Sequence, residues 1–210
     1  MTLLGAALLL STFWILGGRR IKSYVNAYAC QSAIVGLIAL VVGATTHDPN
    51  LYVVAALTLI VKVVAITQIL RAVERRLQAK SEIEPRWGKP VSIVLGGLLL
   101  VFSFAVSPEI VGPGAATSQL PLAIPLAVLL MGLYVVSTRR HVVTQIIGLL
   151  ALENGLFTGA VALAHGMPLI IEFAILFDVL VAVIVLALLA SMIQRELVSA
   201  DSGELRKLRG

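Results

Sequence analysis

Charge is scarce in this 210-residue chain: Asp, Glu, Lys and Arg make up 13% of it, about half the usual share in a soluble domain. That excludes an ordinary water-exposed surface. There is one cysteine, Cys30, which cannot close an internal disulfide and reads as a small hydrophobe, so nothing implies an oxidising compartment. The three histidines, His47, His141 and His165, sit near the ends of apolar runs. None is paired with Cys, His or a carboxylate at metal-ligand spacing, so neither metal nor haem is expected, and no cofactor at all. The GPG at 112–114 precedes no Lys-Ser/Thr pair and is not a phosphate loop. No basic segment precedes the first apolar run, which makes a cleaved signal peptide a poor reading.

Apolar sequence is abundant. Hydrophobic residues make up 59% of the chain and its mean hydropathy is +1.01. Runs close to spanning length lie near 3–17, 25–43, 51–70, 91–107, 121–136, 142–163 and 169–192. The expectation is an all-α integral membrane protein of about seven transmembrane helices, one transmembrane domain over 1–210, with the first and fifth runs the shortest.

The basic residues alternate with these runs. Of the 16 Lys and Arg, fifteen fall after the first span, in 71–90, after the fifth span and in the tail beyond 193, while the loops at 44–50, 108–120 and 164–168 hold none. The positive-inside rule then puts the N-terminus outside and the C-terminus in the cytoplasm. Dispersal over short loops argues for the lipid bilayer as surroundings and against nucleic acid. The 71–90 loop reads as a helical extension of the third span followed by a turn, and 108–120 as an irregular outer turn.

The sixteenth basic residue, Lys62, lies about eleven residues into the third span. Glu153 and Asp178 lie at similar depth in the sixth and seventh, and Glu172 only a turn inside the outer boundary. A charge at the bilayer centre costs about 2.5–3.5 kcal/mol on insertion scales, which Leu would avoid, so such residues point to an ion or proton path. The bland alternative is a bundle-stabilising pair. Burial disfavours the charged form of a carboxyl and a nearby cation favours it, so such a group can load and release a proton. Gln145 lies eight residues before Glu153, near the same helix face, and Gln31 and Thr58 add polar atoms to the second and third spans. Gly155 and Gly159 form a GxxxG, read as close helix packing; Glu153 stands about 200° of helical rotation from Gly155, so one face can be clamped while another presents the acid.

A span with LLALENGLFTGA, a short outer turn, a span with AILFDVLVAVIVLALL and the basic tail GELRKLRG resemble the K subunit of respiratory complex I over about 140–210. Over 1–210 the chain resembles the hydrogenase-4 component E family, found in formate hydrogenlyase and related membrane-bound nickel-iron hydrogenases. The resemblance implies that Glu153 and Asp178 match the two intramembrane acids of the K subunit, the second being shorter here, and Asn154 directly after Glu153 departs from the pattern. It further implies a subunit that is not catalytic alone, in a bacterial or archaeal cytoplasmic membrane. Its partners would be antiporter-like subunits, a quinone-site-type anchor subunit and, indirectly, a nickel-iron hydrogenase module. The expected proton path is Glu153, Asp178 and Lys62, with Glu172, Gln145 and Gln31 beside it. A C-type subunit of a multisubunit cation/proton antiporter and a non-transporting scaffold are the alternatives. Residues 20–77 repeat the layout of 140–197, with Gln31 near the place of Glu153 and Lys62 near that of Asp178, as a degenerate internal copy would.

Overall fold

The computed structural model describes residues 2–47, 49–76, 88–111 and 119–163. Among them every regular element is a helix: α1 (Thr2–Gly17), α2 (Ile21–Thr46), α3 (Pro49–Leu57), a π-helical segment (Thr58–Ile66), α4 (Thr67–Arg76), α5 (Lys89–Val111), α6 (Gln119–Thr138) and α7 (Val142–Leu163). Helices are what an apolar chain must form where no water can satisfy the backbone, because each pairs its own amides and carbonyls internally.

Four of the described helices are long and apolar enough to cross a membrane: Ile21–Thr46, Leu51–Arg75, Lys89–Ile110 and Val142–Leu163. This corrects the count of seven. The first apolar run forms the shorter helix Thr2–Gly17, and the fifth the apolar stretch Leu122–Thr138 within α6. At 1.5 Å per residue, sixteen residues reach about 24 Å, less than the roughly 30 Å of a hydrocarbon core. The seventh run, 169–192, lies outside the described residues. The third run does extend helically to Arg76, whereas both ends of the turn expected over 108–120 are helical: α5 continues through Pro108 to Val111 and α6 begins at Gln119.

Among the described residues α2 has the most neighbours: it touches α1, α3, the π segment, α4 and α7. Short links join α1 to α2 and α6 to α7, which makes each pair antiparallel neighbours. Arg139, in the second link, is buried; its Nη2 donates to the Leu16 carbonyl at 2.7 Å and its guanidinium lies 5.8 Å from the Tyr24 ring centroid, tying the end of α6 to α1 and α2. On the outside, α5 exposes Val94, Leu98, Val101 and Phe102, and a Ser92–Tyr134 hydroxyl contact of 3.1 Å ties it to α6.

Helix α6 packs closely on α7. A Cβ at Gly155 would stand 2.6 Å from the Leu129 nitrogen, one at Gly132 2.5 Å from the Leu152 nitrogen, and one at Gly148 2.9 Å from the Val136 nitrogen. Glycine lets the backbones approach, the way apolar helices gain van der Waals contact where lipid is as apolar as Leu. Gly159 is less demanding: its nearest neighbour, the Pro125 Cβ, would lie at 3.4 Å, so the tight contact runs through Gly148 and Gly155 rather than through both glycines of GxxxG.

Two apolar clusters fill the interior. One joins Leu16, Tyr24, Tyr28, Ile66, Met131, Ile147 and Leu150; the other joins Leu8, Val35, Leu51, Val54, Val128 and Phe157. Along α1, α2, the π-helical segment and α7, the sequence between the two clusters contains Thr12, Gln31, Ser32, Lys62, Glu153 and Asn154, all buried. A polar belt therefore divides the apolar core at mid-height.

Candidate functional site: a buried ion pair and its amide chain

Glu153 is the twelfth of the twenty-two residues of α7, about 16 Å along the axis from either end. With the glycine face of α7 held against α6, Glu153 and Asn154 face inward elsewhere, as the rotation between Glu153 and Gly155 requires. Lys62 is 1% exposed and Glu153 1%, and Lys62 Nζ lies 2.9 Å from Glu153 Oε1. The ammonium also donates to Asn154 Oδ1 at 3.0 Å.

Lys62 lies in the middle of the π-helical segment, which interrupts an otherwise α-helical rod from Pro49 to Arg76. The segment TLIVKVVAI carries six β-branched residues, whose side chains crowd the preceding turn of an α-helix and lower its preference for that form. Thr67 steps in where the register changes: its hydroxyl donates to the Lys62 carbonyl at 3.0 Å while its backbone amide bonds the Val64 carbonyl. Such π segments recur at functional sites in α-helices. Thr58, in the same segment, is buried, and its hydroxyl joins no hydrogen bond among the described residues.

From Asn154 the hydrogen bonds continue away from the ion pair. Its Nδ2 donates to Gln31 Oε1 at 3.2 Å and to Ser32 Oγ at 3.3 Å; Gln31 Nε2 donates to Thr12 Oγ1 at 2.8 Å, and the Thr12 hydroxyl to the Leu8 carbonyl at 2.8 Å. Thr158 closes the turn above, donating to the Asn154 carbonyl at 2.6 Å. Buried polar groups of this kind are tolerable because they are hydrogen-bonded, and the two opposite charges offset much of each other's desolvation cost.

Of the residues expected at the site, Glu153, Lys62 and Gln31 come together. Gln145 does not join them: its Nε2 donates to the Arg139 carbonyl at 2.8 Å, two turns away at the start of α7. Asp178 and Glu172 lie outside the described residues. Among the described residues no three His, Cys, Asp or Glu side chains gather where they could hold a metal ion. Sequence reasoning missed Asn154, Ser32 and Thr12. Asn154 stood next to a chosen acid and could have been found by its own rarity in an apolar run; Thr12 and Ser32 carry no such signal, since single hydroxyls recur in spans as packing residues.

Chemically, the arrangement holds a carboxyl that can take or give a proton next to an ammonium on a flexible four-carbon stem. The acid sits near the middle of α7 and is buried.

The chain is 33% identical over 205 residues, 96% of its own length and 92% of the relative's, to the uncharacterized protein Rv0085 of Mycobacterium tuberculosis. It is 27% identical over 207 residues, 99% of its length and 96% of theirs, to the hydrogenase-4 component E proteins of Escherichia coli and Shigella flexneri. No protein-family model matches it. No solved structure matches it. The near-complete coverage on both sides rules out a likeness confined to one hairpin, and the chain belongs to the same family as the Mycobacterium tuberculosis protein Rv0085.

Proposed function

We propose that this protein is a multi-pass membrane subunit of a hydrogenase-type redox complex and passes protons through its interior by way of Glu153, Lys62 and Asp178. The single observation that carries the proton reading is the 2.9 Å Lys62–Glu153 pair buried at mid-depth between two apolar clusters. A sequence that needed only a stable bundle would fill that place with Leu at lower cost. Placement in a hydrogenase complex is supported by the full-length similarity to hydrogenase-4 component E. In this reading the hydrogen or formate chemistry belongs to other subunits. The chain sits in the cell membrane with its N-terminus outside and its basic loops in the cytoplasm, and 20–77 and 140–197 are a degenerate repeat within one domain.

Mechanistically, a closed pair holds the proton on Lys62. Separation of the ammonium from Glu153 leaves a carboxylate without its counter-charge, and that carboxylate takes up a proton in its place. Return of the ammonium expels that proton. Asp178 is the next acid on the path, and Glu172 the exit toward the outer face.

The closed geometry of the pair also supports a second reading, in which the charges only order the bundle. One experiment separates the two: proton pumping in vesicles beside electron-transfer rate, on intact complex carrying Glu153→Gln or Asp178→Asn. The proton path predicts that pumping falls while the complex stays assembled. If both variants pump at the wild-type ratio of protons to electrons, the carboxylates are structural.

A further inference from the structure

The hydrogen bonds leaving the ion pair run in one direction, and one fact sets that direction. An ammonium can only donate. Asn154 must therefore turn its Oδ1 to Lys62, at 3.0 Å, which leaves its Nδ2 facing Gln31 Oε1 at 3.2 Å. Gln31 must then present Nε2 to Thr12 Oγ1 at 2.8 Å, and the Thr12 proton goes on to the Leu8 carbonyl at 2.8 Å. The amides of Asn and Gln look alike when turned end for end, but the cation at the head of the chain removes that freedom at each link. Each amide points its oxygen toward Lys62 and its donor away, the orientation in which successive hydrogen bonds reinforce one another. All of these side chains are buried, so water does not satisfy them instead.

We infer that Asn154, Gln31 and Thr12 are positioning residues for Lys62: they hold its ammonium against Glu153 and make the orientation of the whole chain, as far as α1, depend on that ammonium. Asn154 joins the two halves of the device, being the neighbour of Glu153 in sequence and the acceptor of Lys62 in space. When the ammonium leaves, the chain loses the donor that oriented it. Asn154 Oδ1 is then left facing an apolar interior, and both amides are free to turn. Helix α1 thereby senses the state of the ion pair through Gln31 and Asn154. The functional weight of this device rests on the proton-path reading, whereas the directional chain does not.

The test is a thermodynamic cycle between Thr12, at one end of the chain, and the ion pair at the other, read as thermal midpoints of the purified full chain in detergent. Thr12→Val keeps the shape but removes the acceptor of Gln31 Nε2. With Lys62 in place Gln31 cannot turn, and the midpoint falls by several degrees. In a Lys62→Met/Glu153→Gln background, which removes both charges together, Asn154 and Gln31 turn end for end. Gln31 Nε2 then donates to Asn154 Oδ1, and Thr12→Val lowers the midpoint by less than half as much. Thr12→Ser keeps the hydroxyl and stays near the unmutated midpoint in both backgrounds. Shifts that simply add, as they do for sites that share no partner, would overturn the inference, as would a Thr12→Ser shift as large as that of Thr12→Val. On the intact complex, Thr12→Val lowers the proton-to-electron ratio if the pair is a proton path. Non-additive midpoints with an unchanged ratio would retain the directional chain and overturn its part in proton transfer, whereas the proton path itself stands or falls with Glu153→Gln and Asp178→Asn.

Discussion

Removing one member of the Lys62–Glu153 pair costs far more than removing both. In Lys62→Met, the 2.9 Å contact to Glu153 and the 3.0 Å donation to Asn154 are lost together. The carboxyl that remains is 1% exposed and sits where no solvent reaches it. Breaking a buried pair from one side costs about 3–5 kcal/mol, because the desolvated partner is left behind. In a protein of this size each kcal/mol moves the thermal midpoint by about 2–4 °C, so the drop is on the order of 10 °C. Glu153→Gln should fall at the lower end of the range, since the amide keeps an oxygen that can accept from the ammonium. The double variant Lys62→Met/Glu153→Gln removes both charges at similar volume. Replacing a buried pair by hydrophobic residues of similar volume is often neutral or stabilising by about 1–4 kcal/mol; here the buried amide still lacks its donor, so the midpoint should recover above both single variants without exceeding that of the unmutated chain. The assay is thermal unfolding of the four purified proteins in one detergent, followed by far-ultraviolet circular dichroism. A double variant that loses the sum of the two single losses would refute the pairing, because each side chain would then be stabilised by something other than its partner.

Two further outcomes follow from the packing and the charge pattern. Gly155→Ala should lower the thermal midpoint, since its Cβ would stand 2.6 Å from the Leu129 nitrogen, whereas Gly159→Ala, with 3.4 Å to Pro125, should be nearly silent; overpacking costs typically about 1–3 kcal/mol. Equal effects at both positions would mean that α6 does not approach α7 at Gly155. A reporter active only outside the cytoplasm should work when fused within 44–50 or 108–120 and fail within 71–90, because those first loops contain no Lys or Arg. Activity at the 71–90 loop would invert the orientation.

Much of the site could be read before the fold. Lys62 and Glu153 announce themselves because a charge in an apolar run is expensive, and a run near spanning length makes its depth countable. The GxxxG pattern and the angular offset of Glu153 from Gly155 follow from helix geometry alone, and the structure keeps the glycine face and the acidic face apart. Gln145 shows where such reasoning ends. It shares a face with Glu153 by spacing, yet two turns bring it to the Arg139 carbonyl in the α6–α7 link.

By itself, the sequence determined that the chain is helical and apolar, that its positive charge alternates between loops, and that ionisable groups lie deep in its spans. All of these are local properties, carried by composition and by the 3.6-residue period. Tertiary structure decided which helix faces which. Spacing along one helix does not say that Glu153 of α7 meets Lys62 of the π segment at 2.9 Å, nor that Asn154 accepts from the same ammonium at 3.0 Å. The π register around Lys62 was equally invisible. It depends on a change in backbone hydrogen bonding over nine residues, stabilised by the Thr67 hydroxyl, and β-branched crowding disfavours the α form there without specifying what replaces it. The direction of the amide chain is the most tertiary property of all, because it is set by a donor ninety-two residues away in sequence that must give its proton to something.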